Sequence, residues 1–174
     1  MSNPRTRCIR PPTVAELPLL QKIEQRAGDL LQGHPAYAVF AAHALPLASL
    51  QEGLAAGRLW LVVAGGEVAG YLLGGVLDGD FHVLQMDVDP AHARRGHGRA
   101  LLRHACTQAR RHGFGHAVLT TLRDVPWNAP FYASEGFREL GEAQWGEGLR
   151  QTMAEERALG FPMALRVALR KPLL

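Results

Sequence analysis

The alternation of hydrophobic periods along the 174 residues predicts a mixed α/β domain, a central and mostly antiparallel sheet with helices on both faces. Three observations carry that prediction. Apolar residues recur at helical spacing from Val14 and again from Gly98. Three β-rich runs between Leu59 and Val88 are separated only by tight glycine and aspartate turns, which makes an antiparallel meander. Finally, Phe81 to Leu122 reads strand, helix, strand, a crossover whose two strands pair in parallel.

Each element has its own local reason. Cys8 to Arg10 is short and apolar enough for an edge strand, closed by Pro11 and Pro12 before Thr13 caps a helix. Leu17, Leu20, Ile23, Ala27 and Leu30 give that helix one apolar stripe, and Gly33 and Pro35 end it. His34 to Leu47 shows no clean period and stays open between a loop, a helix start and a substrate-facing segment. A helix over Pro46 to Gly57 follows, then strands over Leu59 to Ala64, Val68 to Val76 and Phe81 to Val88, with turns at Gly65-Gly66 and Asp78-Gly79-Asp80. Leu101, Leu102, Ala105 and Ala109 return to helical spacing up to Gly113, and Ala117 to Leu122 is again a strand. Asn128 caps a short helix through Glu135, and Phe137 to Leu140 is a strand. Glu147 to Leu159 is a helix and Met163 to Leu169 the last strand. With no internal repeat or linker, residues 1–174 read as a single domain.

Composition narrows the class. A chain this long buries roughly 70% of its unfolded surface, enough for a core and a cleft. Hydrophobic residues at 47% and charged residues at 20% are those of a globular protein and argue against disorder. Apolar runs such as Leu59 to Ala64 are far short of the roughly 20 residues that cross a bilayer, and Met1 to Pro12 has no apolar signal region. The expectation is a cytoplasmic protein without membrane partners. Cys8 and Cys106 have no metal spacing and read as packed thiols, and His92 and His97 stand apart from other ligand types, so no metal site is expected. The net charge of +3 comes from a cluster around Arg94 to Arg111 rather than a broad stripe, and aromatics are only 7%. That pattern suits a local anionic ligand and not nucleic acid.

The anion has an address in Val88-Asp-Pro-Ala-His-Ala-Arg-Arg-Gly-His-Gly-Arg-Ala-Leu-Leu102. Two glycines between a strand and a helix let backbone N–H groups converge on one anion, at the positive end of the helix dipole. Arg94, Arg95 and Arg99 add formal charge, so a diphosphate is the natural guest. No Lys-Ser/Thr follows, which excludes a P-loop, and a third glycine is missing for the dinucleotide fingerprint.

This loop resembles the acyl-CoA pyrophosphate motif of the GNAT superfamily of N-acetyltransferases, Gln/Arg-x-x-Gly-x-Gly/Ala. A second segment, Trp127-Asn-Ala-Pro-Phe-Tyr132-Ala-Ser-Glu-Gly136-Phe137, is similar to the family's Tyr-x-x-x-Gly-Phe. With Gly96 and Gly98 as the motif glycines, the first position is Ala93 in place of Gln or Arg. Read two residues later, Arg95-x-x-Gly98-x-Ala100 fits literally. The resemblance implies the GNAT fold over nearly the whole chain. It also implies acetyl-CoA as co-substrate and transfer of acetyl to a primary amine of a small molecule or peptide by direct attack. Cofactor contacts would come from the backbone of Met86, Asp87 and Val88 and from Arg94, Arg95, Gly96, His97, Gly98, Arg99 and Ala100. Tyr132 and Asn128 would add to them, although Asn128 lies four residues before Tyr132 where the family often has about seven. The family often dimerises, so a homodimer is compatible with the resemblance.

The same resemblance makes Tyr132 the general acid for the departing thiolate, against a plain packing role at a helix end. The base is open. The position that carries Glu in many members is Gln85, which accepts no proton at neutral pH. Strand alternation puts Leu84, Met86 and Val88 on one face, expected to be core, and Val83, Gln85 and Asp87 on the other. His82 or Asp87 is the candidate base, with a water relay as the remaining choice, and each also reads as an ordinary strand-end or turn side chain. Trp127 reads as acceptor pocket or as packing under the loop, and Arg123 with Asp124 as a substrate handle or a loop ion pair. Gln85 also motivates an alternative, a non-catalytic acyl-CoA-binding module. Acceptor specificity is expected from Gly33 to Leu50 and Leu140 to Pro162, which carry no readable motif.

Overall fold

The structure is a computed structural model and describes residues 7–174. In chain order the elements are β1 (Arg7–Arg10), α1 (Leu17–Gly28), α2 (Tyr37–Ala42), α3 (Leu47–Ala55), β2 (Leu59–Ala64), β3 (Glu67–Leu77) and β4 (Asp80–Val88). They continue with α4 (His97–Arg111), β5 (His116–Leu122), α5 (Ala129–Ser134), β6 (Arg138–Glu139), α6 (Glu147–Leu159) and β7 (Arg166–Pro172). The seven strands form a mixed sheet, in the order β1-β2-β3-β4-β5-β7-β6, flanked by helices. No helix among the described residues is long and apolar enough to cross a membrane.

Two compact units divide the chain, one running to Gly75 and including Leu84–Ala105, the other formed by Val76–Val83 and Cys106–Leu174. In the first, β1 and β3 pair antiparallel with the two sides of β2. The stripe of α1 and Leu50 of α3 close over Leu59, Leu61, Tyr71 and Leu73 in a core of nearly inaccessible side chains. Strand alternation sends Trp60 to the opposite face, where it meets His104 of α4 edge-on. Thr13 starts the first helical turn as expected, with Glu16 accepting from its amide at 2.8 Å, and Arg10 clamps the same carboxylate. That pairing, with the Thr13 amide, holds the Glu16 carboxyl down at about 2.

Gly70 on β3 is the tightest backbone contact of this unit. A Cβ there would stand 2.6 Å from the Asp87 carbonyl oxygen and 3.1 Å from the Val88 Cα, both main-chain atoms that cannot rotate away. Gly70→Ala is therefore expected to destabilise the protein by about 1–3 kcal/mol, the usual cost of overpacking. Urea unfolding checks this, and an unchanged midpoint would contradict the closeness of β3 to the end of β4.

In the second unit β4 and β5 pair in parallel at Phe81↔Ala117 and His82↔Val118, as the crossover requires, and β5 pairs antiparallel with β7. Leu149 and Met153 of α6 cover Ala168. The Asp78-Gly79 turn has positive φ at both residues, +51° and +80°, which matches the twist of the strands it joins. The Asp78 carboxylate then accepts from Gly148 N at 2.7 Å and Leu149 N at 2.9 Å, so the hairpin tip caps α6 from 70 residues away.

Several expectations need correction. The open segment after His34 contains α2, entered where the Ala36 amide bonds to His34 Nδ1. Asn128 sits at the N-cap of α5 but makes no side-chain cap, because its backbone (φ −110°, ψ −112°) is not that of a capping residue. Phe137 lies between α5 and β6, its amide returning to the Tyr132 carbonyl across Gly136 (φ +90°), which leaves β6 only two residues. Met163–Leu165 is a 3-10 turn behind Pro162, so the last strand starts at Arg166. Cys8 is exposed because β1 is the sheet edge, whereas Cys106 is buried. Leu84, expected in the core, is 48% exposed.

Candidate active site

The segment from Asp89 to Ala100 is held open from three sides. Asp89 closes β4 with its amide on the Ala69 carbonyl at 2.8 Å. Its buried carboxylate accepts from Ala91 N at 3.0 Å and from the guanidinium of Arg26 on α1, with Nε at 3.0 Å. Burial works against that charge, but the Arg26 and Ala91 bonds keep the carboxyl below its ordinary range. His92 Nε2 lies 3.2 Å from Glu67 at the β2–β3 turn. Arg7 Nη2, from the sheet edge, donates to the Arg95 carbonyl at 2.9 Å. These ties fix a backbone that turns left-handed at Arg94 (φ +59°) and Gly96 (φ +76°). At the former a non-glycine residue accepts a strained conformation of the kind found at ligand clamps.

From this loop α4 starts with the Ala100 amide on the Gly96 carbonyl at 3.1 Å, and the amides ahead of it point out of the helix end. Arg94, Arg95 and Arg99 are exposed around it. Gly98 leaves the end unshielded: a Cβ there would meet Val88 Cγ2 at 3.5 Å and Met86 Cε at 3.8 Å, ordinary contacts. A helix dipole, bare backbone and three guanidiniums form a cradle that fits a diphosphate. The His97 imidazole is buried, only 6% exposed, and stands edge-on to His92 at 6.3 Å; neither ring nitrogen is hydrogen-bonded among the described residues, and burial beside Arg7, His92 and Arg95 lowers its pKa.

On the α1 side of β4 lies a titratable cluster that the sequence only half disclosed. Asp87 Oδ2 accepts from Gln85 Nε2 at 2.7 Å and from the Tyr71 hydroxyl at 3.1 Å. Burial, reinforced by the charge of Glu24, pushes the Asp87 carboxyl up to about 7 against those two hydrogen bonds. Glu24 accepts from the Leu45 amide at 3.0 and 3.2 Å, and burial raises its pKa too. Burial and the Asp87 charge keep Tyr71 a neutral donor. Glu24 had a legible signal, since it is a carboxylate on the stripe Leu17, Leu20, Ala27 where α1 is otherwise apolar. A carboxyl poised near neutrality in a polar cluster is what proton transfer at physiological pH needs.

The second unit holds the other candidates. His82 is 8% exposed, and burial drives its pKa down to about 4 in spite of Glu156, so its imidazole is neutral. Tyr132 is 7% exposed, its ring edge-on to Phe131 at 5.2 Å and to Phe137 at 5.6 Å. Trp127 is 51% exposed. Arg123 is closed bidentately on Glu139, at 2.7 and 2.8 Å, and not on Asp124.

Comparison with known proteins agrees with this fold. The chain superposes on the PaiA N-acetyltransferase of Thermoplasma acidophilum in complex with coenzyme A, with a TM-score of 0.72 at 13% identity, over 96% of this chain and 99% of that one. It matches a GNAT-family acetyltransferase of Staphylococcus aureus with a TM-score of 0.71 at 16% identity, over 97% and 100% of the two chains. For the ribosomal-protein-S18-alanine N-acetyltransferase of Escherichia coli the TM-score is 0.66 at 19% identity, over 97% and 94%. At such identities the likeness establishes the fold. A family model, that of the acetyltransferase (GNAT) family, matches residues 19–137, a span that includes both the glycine loop and the Tyr132 to Phe137 segment. The chain belongs to the GNAT family of acetyltransferases.

Proposed function

We propose that the protein is an N-acetyltransferase, one catalytic domain over residues 1–174, which transfers acetyl from acetyl-CoA to a primary amine of a small molecule or peptide. The observation that carries this reading is the pairing of an anion cradle at Gly96–Gly98 with a carboxyl at Asp87 that ionises near pH 7. Bound acetyl-CoA supplies an activated acetyl thioester. In the protein, the amides at the start of α4 and the exposed Arg94, Arg95 and Arg99 bind the diphosphate, with Ala100 at the loop's end. The backbone of Met86, Asp87 and Val88 and the loop at Asn128 orient the arm behind it. Asp87, tuned by Glu24, Tyr71 and Gln85, takes a proton from the acceptor ammonium, whose own pKa near 10 would otherwise leave it unreactive. Tyr132 returns a proton to the leaving sulfur. We assign the base to Asp87 and not His82, because an imidazole with a pKa of about 4 holds an abstracted proton poorly at neutral pH. Gln85 loses its weight as a sign of a non-catalytic binder, since it donates to the proposed base.

Gly98→Val tests the cradle. A Cβ is accommodated at this position, so the variant is expected to fold, while the branched side chain covers the helix end. Affinity for acetyl-CoA, measured by calorimetry, is expected to fall at least about tenfold, roughly 1.4 kcal/mol. Unchanged affinity in a folded variant would remove the diphosphate from this loop.

A further inference from the structure

The second unit holds a feature to which the acetyl transfer proposed above assigns no role, although part of its lining lies in the stretch Leu140 to Pro162 from which acceptor specificity is expected. Between α6, the 3-10 turns at Glu142–Gln144 and Met163–Leu165, and the start of β7 there is a cavity of about 380 Å³. That volume lies in the range of small-molecule sites, roughly 300–1,000 Å³. Leu140, Trp145, Met153 and Met163 form an apolar bowl over Ala168. The Trp145 indole N–H is engaged with the Leu140 carbonyl at 3.1 Å, which leaves the ring as flat apolar surface. Two methionines beside it give a wall that adapts to the shape of a guest.

Charge at the rim is more specific than the bowl. Three arginines line the cavity, and two are committed: Arg123 is closed on Glu139, and Arg166 donates to Glu156 at 2.7 and 2.9 Å and to Thr120 while stacking over Phe161 at 4.7 Å. The third, Arg157, is exposed, and its guanidinium has no hydrogen bond or ion pair among the described residues. The Glu142 carboxylate is in the same condition among the described residues, since only its backbone carbonyl is engaged, by Arg150 at 2.8 Å and by the Trp145 amide at 3.2 Å. One uncommitted cation and one uncommitted anion thus share the lining of an apolar bowl.

We propose that this cavity binds a free amino acid with an apolar side chain. The α-carboxylate pairs with Arg157, the ammonium with Glu142, and the side chain lies on Trp145 and the two methionines. A guest with only one charge leaves the opposite rim group unmatched, and an uncharged one leaves both. This goes beyond the transferase reading, and its test contains no acetyl-CoA, so the two are judged separately.

The test is calorimetric titration of the 174-residue chain with L-phenylalanine, 3-phenylpropionate and 2-phenylethylamine. Saturable 1:1 binding of L-phenylalanine is expected, with both single-charge analogues at least tenfold weaker. Arg157→Gln is expected to weaken L-phenylalanine at least tenfold and leave 2-phenylethylamine unchanged. Glu142→Gln is expected to weaken L-phenylalanine similarly and leave 3-phenylpropionate unchanged. Both side chains are exposed and unpartnered, so unchanged thermal midpoints are expected as a control. Absence of saturable binding overturns the proposal, as does equal binding of the three compounds or binding that neither substitution changes.

Discussion

Asp87→Asn is expected to lower kcat/KM for amine acetylation by about 10²- to 10⁴-fold, the range that a positioned general base contributes. Asparagine keeps the shape of the side chain and an oxygen that accepts from Tyr71 or Gln85, so the loss reads chemistry and not packing. The pH profile makes the reading specific. With its carboxyl pushed up to about 7, Asp87 is protonated and inactive as a base below that pH, so wild-type kcat/KM rises through an apparent pKa near 7. The limb is expected to vanish in Asp87→Asn. His82→Gln is expected to keep it, because the His82 imidazole is already neutral above about pH 4. A limb that survives Asp87→Asn and disappears in His82→Gln would reverse the assignment.

The same shift has a consequence for stability, with a fixed sign. A carboxyl whose folded pKa lies above its unfolded one binds more protons in the native state, so its contribution is present at low pH and is lost as pH rises through about 7. Wild type is thus expected to lose stability between about pH 4 and pH 7 relative to Asp87→Asn.

Tyr132→Phe is expected to cost about 10²-fold in kcat with acetyl-CoA affinity preserved. The ring is buried between Phe131 and Phe137, and phenylalanine keeps both edge contacts, so removal of the hydroxyl isolates its proton. An acceptor series separates the two roles. Because the lost step is protonation of the leaving sulfur, the deficit should be the same for every amine. Wild-type turnover in the variant would return Tyr132 to packing alone.

How much of this was legible in the sequence depends on how local each signal is. Helix α6 was read to the residue, because Glu147 to Leu159 keeps its period and Gly160 supplies a left-handed stop. The parallel pairing of β4 with β5 followed from chain order alone. The glycine loop was legible because the role proposed for it needs backbone without side chains, which composition reveals directly. The ties that shape it were not, since Arg7 to Arg95 and Arg26 to Asp89 join residues 88 and 63 positions apart. Gln85 was only half legible for a related reason: strand alternation places it beside Asp87, but only the fold shows that Glu24 of α1 and Tyr71 of β3 supply the field and the hydrogen bond there. The end of β4 read as core because its apolar residues alternate, a pattern that says which face they share and not whether anything covers that face.

The most direct measurement follows the acetyl group itself. Incubation with acetyl-CoA labelled in the acetyl carbons and a panel of primary amines and peptides, read by mass spectrometry, is expected to place the label on the nitrogen of at least one amine. One free thiol should be released per label, at a rate that rises through pH 7 and falls at least about 10²-fold in Asp87→Asn. Saturable acetyl-CoA binding with no labelled amine from any acceptor, at any pH from 6 to 9, would contradict the account.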